Sequence, residues 1–346
     1  MSERDDLLIS VANEIRTYRQ GDLSEPTPEH VDRWLQQFTP AQQLPFIREF
    51  NHVIKQTFIT SHEVEDFLSS LVTNQELAGD DPAGYWSTAN LLNIQQNGQS
   101  QKEMLKLFSK CLEEVFGLDL EACGEDGGDF IYLDDVMFSG NRVGNDLEAW
   151  IVNDAPQSAR VHVIVAAYHT LGQYLTAQKL KRVIANSGKK ISVEYWRVLT
   201  IENQKAHKNI SGVLWPTAAP SAAEVQAYMA LPSKYPFEPR QPSAKPIEPF
   251  SSEAGRQILE SEFLIAGAKI RAMSEKPKSS MKPLGFSPFG VGFGSMLVTY
   301  RNCPNNCPIA MWWGDPEATS GALHWYPLLP REGYSSLRNI FDDLTL

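Results

Sequence analysis

The sequence predicts an α/β protein: a parallel sheet with helices on both faces, preceded by an N-terminal α-helical module. Two observations carry that reading. Short apolar runs at 91–94, 130–133, 161–167 and 191–199 alternate with helix-period stretches at 101–116, 143–151 and 171–187. Their connections are short, which favours parallel strands joined by right-handed crossovers. A third observation sets the module apart: residues 1–75 hold several helix-period stretches in succession.

In that module Leu7, Leu8, Val11, Ile15 and Tyr18 mark one apolar helix face, closed by Gly21. Thr27-Pro28-Glu29 is a helix start, with Thr as N-cap, Pro at the first helical position and an acid in the first turn. Val31, Trp34, Leu35 and Phe38 give its stripe. A third helix is expected over 40–57, with Pro45 unsettling its first turn. Thr60-Ser61-His62-Glu63 reads as a capping box that opens a fourth. Such helices could form a helix-turn-helix or winged-helix module. Charge argues against DNA: residues 1–75 hold 6 Lys and Arg against 12 Asp and Glu, where a reader of DNA needs a basic face. A docking or packing role is expected instead.

Residues 76–85 look like a linker by their Gly, Pro and Asp content. The second domain is expected to span 86–346. It opens with the run 91–94 and a polar turn, Gln95-Gln96-Asn97-Gly98-Gln99-Ser100-Gln101, ahead of helix 101–116. Phe130-Ile131-Tyr132-Leu133 then reads as a buried strand. Asp134 and Asp135 follow at its expected end, Ser139-Gly140-Asn141 makes a tight turn, and Val143, Leu147, Trp150 and Ile151 begin an amphipathic helix. Val161–Ala167 is nearly continuous apolar, as a strand buried on both faces should be.

Eight prolines between 215 and 250 predict a long irregular insertion, about 201–250, broken by one short helix near 221–230. A strong helix opens at Ser251/Ser252. The C-terminal addition, 285–346, begins with a glycine-rich loop over 285–294 and a strand over 296–300. It then concentrates Cys303, Cys307, Trp312, Trp313, His324 and Trp325.

The chemistry gathers at the acidic pair. Ionised carboxylates only accept hydrogen bonds, so Asp134 and Asp135 suit the vicinal hydroxyls of a sugar. Ser139, Gly140, Asn141 and Arg142 stand where helix N–H groups can wrap a phosphate. In an open α/β sheet, ligands sit at that end of the strands. A ligand-free acidic turn closing a strand–helix connection is the bland alternative.

The stretch Asp134-Asp135-Val136-Met137-Phe138-Ser139-Gly140-Asn141-Arg142-Val143 resembles the motif with which type I phosphoribosyltransferases bind phosphoribosyl pyrophosphate (PRPP). Its departure is Arg142, where those enzymes usually carry a small hydroxyl residue. The whole chain is similar to a bacterial phosphoribosyltransferase-like family found beside genes of anti-phage conflict systems, retrons among them. The elements carrying that likeness are Val31-x-x-Trp34-x-x-Gln37-Phe38, a Gly-x-Ser-Gln loop, Asn302-Cys303-Pro304-Asn305-Asn306 with tryptophans after it, and Pro327-Leu328-Leu329-Pro330-Arg331.

The resemblance implies that Asp134 and Asp135 hold the ribose hydroxyls, with Ser139 to Arg142 on the 5′-phosphate. By position, Asn97-Gly98-Gln99-Ser100 would be the pyrophosphate loop. It implies Mg²⁺ bound mainly by the substrate, and catalysis by positioning and electrostatics without a covalent nucleophile. A defence effector acting on nucleotides is the implied role. The alternatives are a non-catalytic nucleotide sensor, or a subunit held by a reverse transcriptase and its RNA or DNA.

Other readings fall away. No Gly-x-x-x-x-Gly-Lys-Ser/Thr occurs, and Gly290-x-Gly292-x-Gly294 lacks a strand before it and a helix after it. That loop is either a turn series or a lid over a site. Cys303-Pro-Asn-Asn-Cys307 has no second half-site at zinc spacing. The tryptophans are expected in the core rather than as a stacking platform. His162 is expected to be structural; His169, at a strand's end, is a weaker site candidate. A net charge of −11, four cysteines, no apolar leader and no 18-residue apolar run set the expectation of a cytoplasmic protein without membrane partners.

Overall fold

The computed structural model describes residues 2–96 and 98–331. The chain forms two compact units. One combines the residues up to 61 with those from 205 onward; the other is residues 62–204.

The first unit opens with α1 (Glu3–Glu14), where the Ser2 hydroxyl accepts from the Asp5 N–H and the Asp5 carboxylate from the Ser2 N–H. α2 (Pro28–Leu35) starts as expected, with Thr27 Oγ1 accepting from the His30 N–H. A 3₁₀ turn at Pro40–Gln42 leads into α3 (Gln43–Thr57). Pro45 is the third residue of α3, where a backbone N–H has no intrahelical acceptor, so it costs the helix nothing. β1 (Phe58–Ile59) follows.

The second unit carries α4 (Ser61–Val72), then α5 (Gln75–Ala78) and α6 (Pro82–Thr88). The expected linker at 76–85 is therefore largely helical. Asn74, just before the stretch, and Asp81 within it act as caps: Asn74 accepts from the Leu77 N–H and Asp81 from the Gly84 N–H, with Pro82 at the first helical position. After β2 (Asn90–Leu91) come α7 (Ser100–Phe116), β3 (Phe130–Met137), α8 (Asn141–Asn153), β4 (Ser158–His169), α9 (Thr170–Ser187) and β5 (Lys190–Ile201).

Four strands pair in the order β2-β3-β4-β5, all parallel. One face is covered by α8 and α9, whose Val143, Leu147, Trp150, Ile151 and Leu180 meet Tyr132, Val161, Val163 and Val165. α7 packs on β3 with a separate apolar face, and its Phe108 meets Trp86 of α6 at 4.8 Å.

Back in the first unit, the proline-rich stretch holds one short α-helix, α10 (Ala223–Met229), close to its expected place. α11 (Glu253–Met273) is capped by Ser252, whose hydroxyl accepts from the Gly255 N–H. β6 (Val298–Thr299) pairs in parallel with β1, and α12 (Ile309–Trp312) follows.

The first unit is built from both ends of the chain. Trp34, Phe38, Phe46 and Phe50 pack around Phe263 of α11, and Phe38 meets Trp325 edge-on at 5.7 Å. The indoles of Trp34 and Trp325 both donate to the Ala310 carbonyl, at 2.8 and 2.9 Å. The expected boundary between 1–75 and 86–346 thus does not match the compact units, because α1–α3 complete a core with α11 and α12. The glycine-rich loop is wedged into this same unit rather than standing free as a lid. A Cβ at Gly285 would lie 2.2 Å from the Asn306 carbonyl oxygen, and one at Gly294 2.3 Å from that of Leu214. Trp312, Trp313 and Trp325 are buried, as expected of core aromatics. No helix among the described residues is long and apolar enough to cross a membrane.

Candidate functional site

β3 does not stop before its acids. It runs to Met137 because β4 continues beside it to His169, with Asp134 opposite Val165 and Met137 opposite Tyr168. Asp134 and Asp135 therefore lie inside the strand, three and two residues from its end, rather than on the turn after it. The Asp135–Ala166 pair is missing from the register. There each carboxylate accepts from the next backbone N–H, Asp134 from Asp135 at 2.9 Å and Asp135 from Val136 at 2.7 Å.

Asp134 is 2% exposed. Burial and the neighbouring Asp135 charge push its carboxyl up to about 7, against the pull of the Ser100 hydroxyl and of Arg142. Ser100 is the first residue of α7, and its hydroxyl is fully engaged. It donates to Asp134 and accepts from Gln95 Nε2 (2.9 Å) and from Arg142 Nη1 (3.2 Å).

The polar loop ahead of α7 thus meets the acidic pair and the start of α8. Gly98 holds φ +98°, which suits glycine, and the Arg142 guanidinium lies over it, 3.4 Å from where a Cβ would stand. Gln99 is the exposed N-cap position of α7. Asn97 lies outside the described residues.

The turn between β3 and α8 is fixed from beneath. Gly140 (φ +75°) is the N-cap position of α8, and a Cβ there would fall 2.0 Å from Thr176 Oγ1. Thr176 donates to the Gly140 carbonyl at 3.0 Å. Ser139 Oγ accepts from the Asn141 N–H at 3.4 Å, and Asn141 is exposed. The N–H groups of Arg142 and Val143 have no acceptor within the helix, as first-turn donors never do.

Three supporting residues escaped the sequence reading. Asp146 of α8 is buried, which raises its carboxyl; it accepts from the Tyr132 hydroxyl (2.9 Å) and from the Gln96 N–H (3.2 Å). Gln101 and Gln95 brace the loop against itself. Gln101 Oε1 accepts from the N–H groups of Ile94 and Gln95, and Gln95 Oε1 from the Gln101 N–H. The spacing did carry a signal for Asp146: it falls in the apolar stripe 143, 147, 150, where an acid needs a partner.

The histidines divide. His162 uses both ring nitrogens, Nε2 toward Asp129 at 3.1 Å and Nδ1 accepting from the Trp196 indole at 2.9 Å, so it is structural. His169 is buried at the end of β4 and stacks on Phe138 at 5.1 Å; burial pushes its ring down to about 3, against a hydrogen bond to the Met137 backbone. It supports the turn as a neutral ring.

A parallel α/β sheet whose polar loop, acidic pair and helix start converge at one edge is the architecture of a phosphoribosyltransferase-like protein. Residues 31–331 match the family model PRTase-CE, a phosphoribosyltransferase family, and the chain belongs to it. The matched region begins at Val31 and ends at Arg331, the outer limits of the two terminal motifs. No similar chain is found among curated proteins or among solved structures.

Proposed function

We propose that the second unit binds PRPP or a phosphoribosyl nucleotide, with loop 97–100 on the pyrophosphate and Ser139 to Arg142 on the 5′-phosphate. The observation that carries this reading is the hydrogen-bonded cluster of Ser100, Asp134 and Arg142, drawn from two distant segments, with the Arg142 guanidinium lying over Gly98. In transfer, the bond from ribose C1 to pyrophosphate breaks, a bond from C1 to an acceptor forms, and pyrophosphate leaves with the electron pair. The chain's part is to hold both ends of the sugar phosphate and to face the positive charge growing on the ribose with Asp134 and Asp135.

Mg²⁺ enters this reading on the ligand's pyrophosphate. The residues suit that arrangement: an ion held mainly by substrate phosphates and water needs at most one or two carboxylates, such as the adjacent Asp134 and Asp135. The likeness to conflict-system families extends the proposal to a defence effector acting on nucleotides. A sensor without catalysis is a second reading, favoured by the engagement of both acids with their own backbone.

Isothermal titration with PRPP and Mg²⁺ tests the binding claim. Wild type should give saturable heat, and the double variant Asp134→Ala/Asp135→Ala should lose at least about tenfold in affinity. Absence of heat with every phosphoribosyl ligand would sink the proposal. Release of pyrophosphate on adding bases or nucleotides separates transferase from sensor.

A further inference from the structure

Arg142 is the residue at which this chain departs from the pattern it otherwise resembles. Its side chain reaches out of α8 to the other loop, with Nη1 on Ser100 Oγ at 3.2 Å and the guanidinium over Gly98. Its charge also pulls on Asp134 and on Asp146, the two buried carboxyls that flank the loops. Yet among the described residues Arg142 forms no ion pair: its hydrogen-bond partner is a neutral hydroxyl. A guanidinium carries five N–H donors in a rigid fork suited to phosphate. One donor is engaged here, and the residue is exposed. Close by, Gln101 Nε2 is a buried donor with no partner among the described residues.

Structural arginines are usually closed off by carboxylates, as Arg240 and Arg256 are by Glu260 in the other unit. An arginine held in place by a serine, over a glycine, is oriented without being neutralised. An incoming anion can therefore replace the serine at little cost in reorganisation.

Resting on the reading of 97–100 and 139–142 as anion seats, we propose that Arg142 is the specificity-determining residue of the site. It acts as a fixed cation that reaches from α8 into the pyrophosphate seat, so the site selects ligands that bring a pyrophosphate to loop 97–100 over those with a 5′-phosphate alone. Ser100 stands in for that pyrophosphate in the unliganded protein.

The test is calorimetry on the full chain at fixed Mg²⁺ with three probes: PRPP, ribose 5-phosphate and inorganic pyrophosphate. Arg142→Thr should weaken PRPP and pyrophosphate about tenfold or more, with ribose 5-phosphate changing less than about threefold. Arg142→Lys should fall between, because it keeps the charge and loses the fork. Because Arg142 is exposed, both variants should melt within a few degrees of wild type, roughly the reach of a surface change. Equal losses for ribose 5-phosphate and PRPP would assign Arg142 to the 5′-phosphate turn alone and overturn the proposal, as would no change with any probe. If wild type binds pyrophosphate through Arg142 but neither sugar, the phosphoribosyl reading fails and this one stands. If it binds none of the three, both fail.

Discussion

The two units treat a buried carboxylate in opposite ways. In the first, Glu260 of α11 is 1% exposed and faces two guanidiniums, Arg240 at 2.9 Å and Arg256 at 2.8 Å, and accepts from the Trp215 N–H at 3.0 Å. In the second, Asp134 is buried as deeply but faces another carboxylate and a hydroxyl, with the charge of Arg142 pulling on it without an ion pair. Burial pushes both acids up; the arginines pull Glu260 back, whereas Asp135 adds to the push on Asp134. One arrangement closes its charges and ties the proline-rich stretch to a helix. The other keeps an acid that its surroundings do not neutralise, which is what a polar ligand needs and what stability alone would remove.

The sharpest way to break this contrast is to remove each acid. Glu260→Ala leaves Arg240 and Arg256 buried without their shared partner, and should cost about 3–5 kcal/mol in urea unfolding. A loss under about 1 kcal/mol would mean that the triad is not holding the unit.

Asp134→Asn should act in the other direction. Its folded carboxyl titrates near 7, above the ordinary value of 3.8, so the folded state binds more protons than the unfolded state between those limits. Wild type should therefore lose stability as pH rises from about 4 to about 7, by on the order of a few kcal/mol, and change little from this group above that. The asparagine variant should flatten that slope, and urea midpoints at several pH values will show it. An unchanged slope would remove the claim that Asp134 is held against its charge.

The sequence made the repeating strand–helix order legible, because buried parallel strands and amphipathic helices differ in period. It hid the length of β3, since Asp134-Asp135 reads as loop chemistry and only the register with β4 carries the strand past them. The division into units was hidden for a related reason. An apolar stripe such as Val31, Trp34, Leu35 and Phe38 announces burial without naming its partner, and here that partner includes Phe263, more than two hundred residues away. At the site, the motif residues were legible, but their braces were not. Gln95 and Gln101 work through backbone N–H groups, and those contacts leave no pattern in side-chain spacing; Asp146 left one, as an acid in an apolar stripe, but without naming its partners Tyr132 and Gln96.

The smallest predicted effect concerns the two terminal motifs. Gln37 pairs reciprocally with the backbone of Tyr326, Oε1 accepting from its N–H at 2.9 Å and Nε2 donating to its carbonyl at 2.8 Å. Seven residues earlier, His30 contacts the Tyr326 hydroxyl at 2.6 Å and the Leu328 carbonyl at 2.8 Å. These contacts clamp the end of the segment Val31-x-x-Trp34-x-x-Gln37-Phe38 to Tyr326, the residue just before Pro327-Leu328-Leu329-Pro330-Arg331. Gln37→Ala should cost only about 1 kcal/mol, since the freed backbone groups are half-buried and water can reach them. Its signature is local: amide exchange at Tyr326 should quicken about fivefold, while that of Tyr132 in β3 stays as in wild type. Faster exchange at Tyr132 as well would show that the clamp also supports the unit that carries the site.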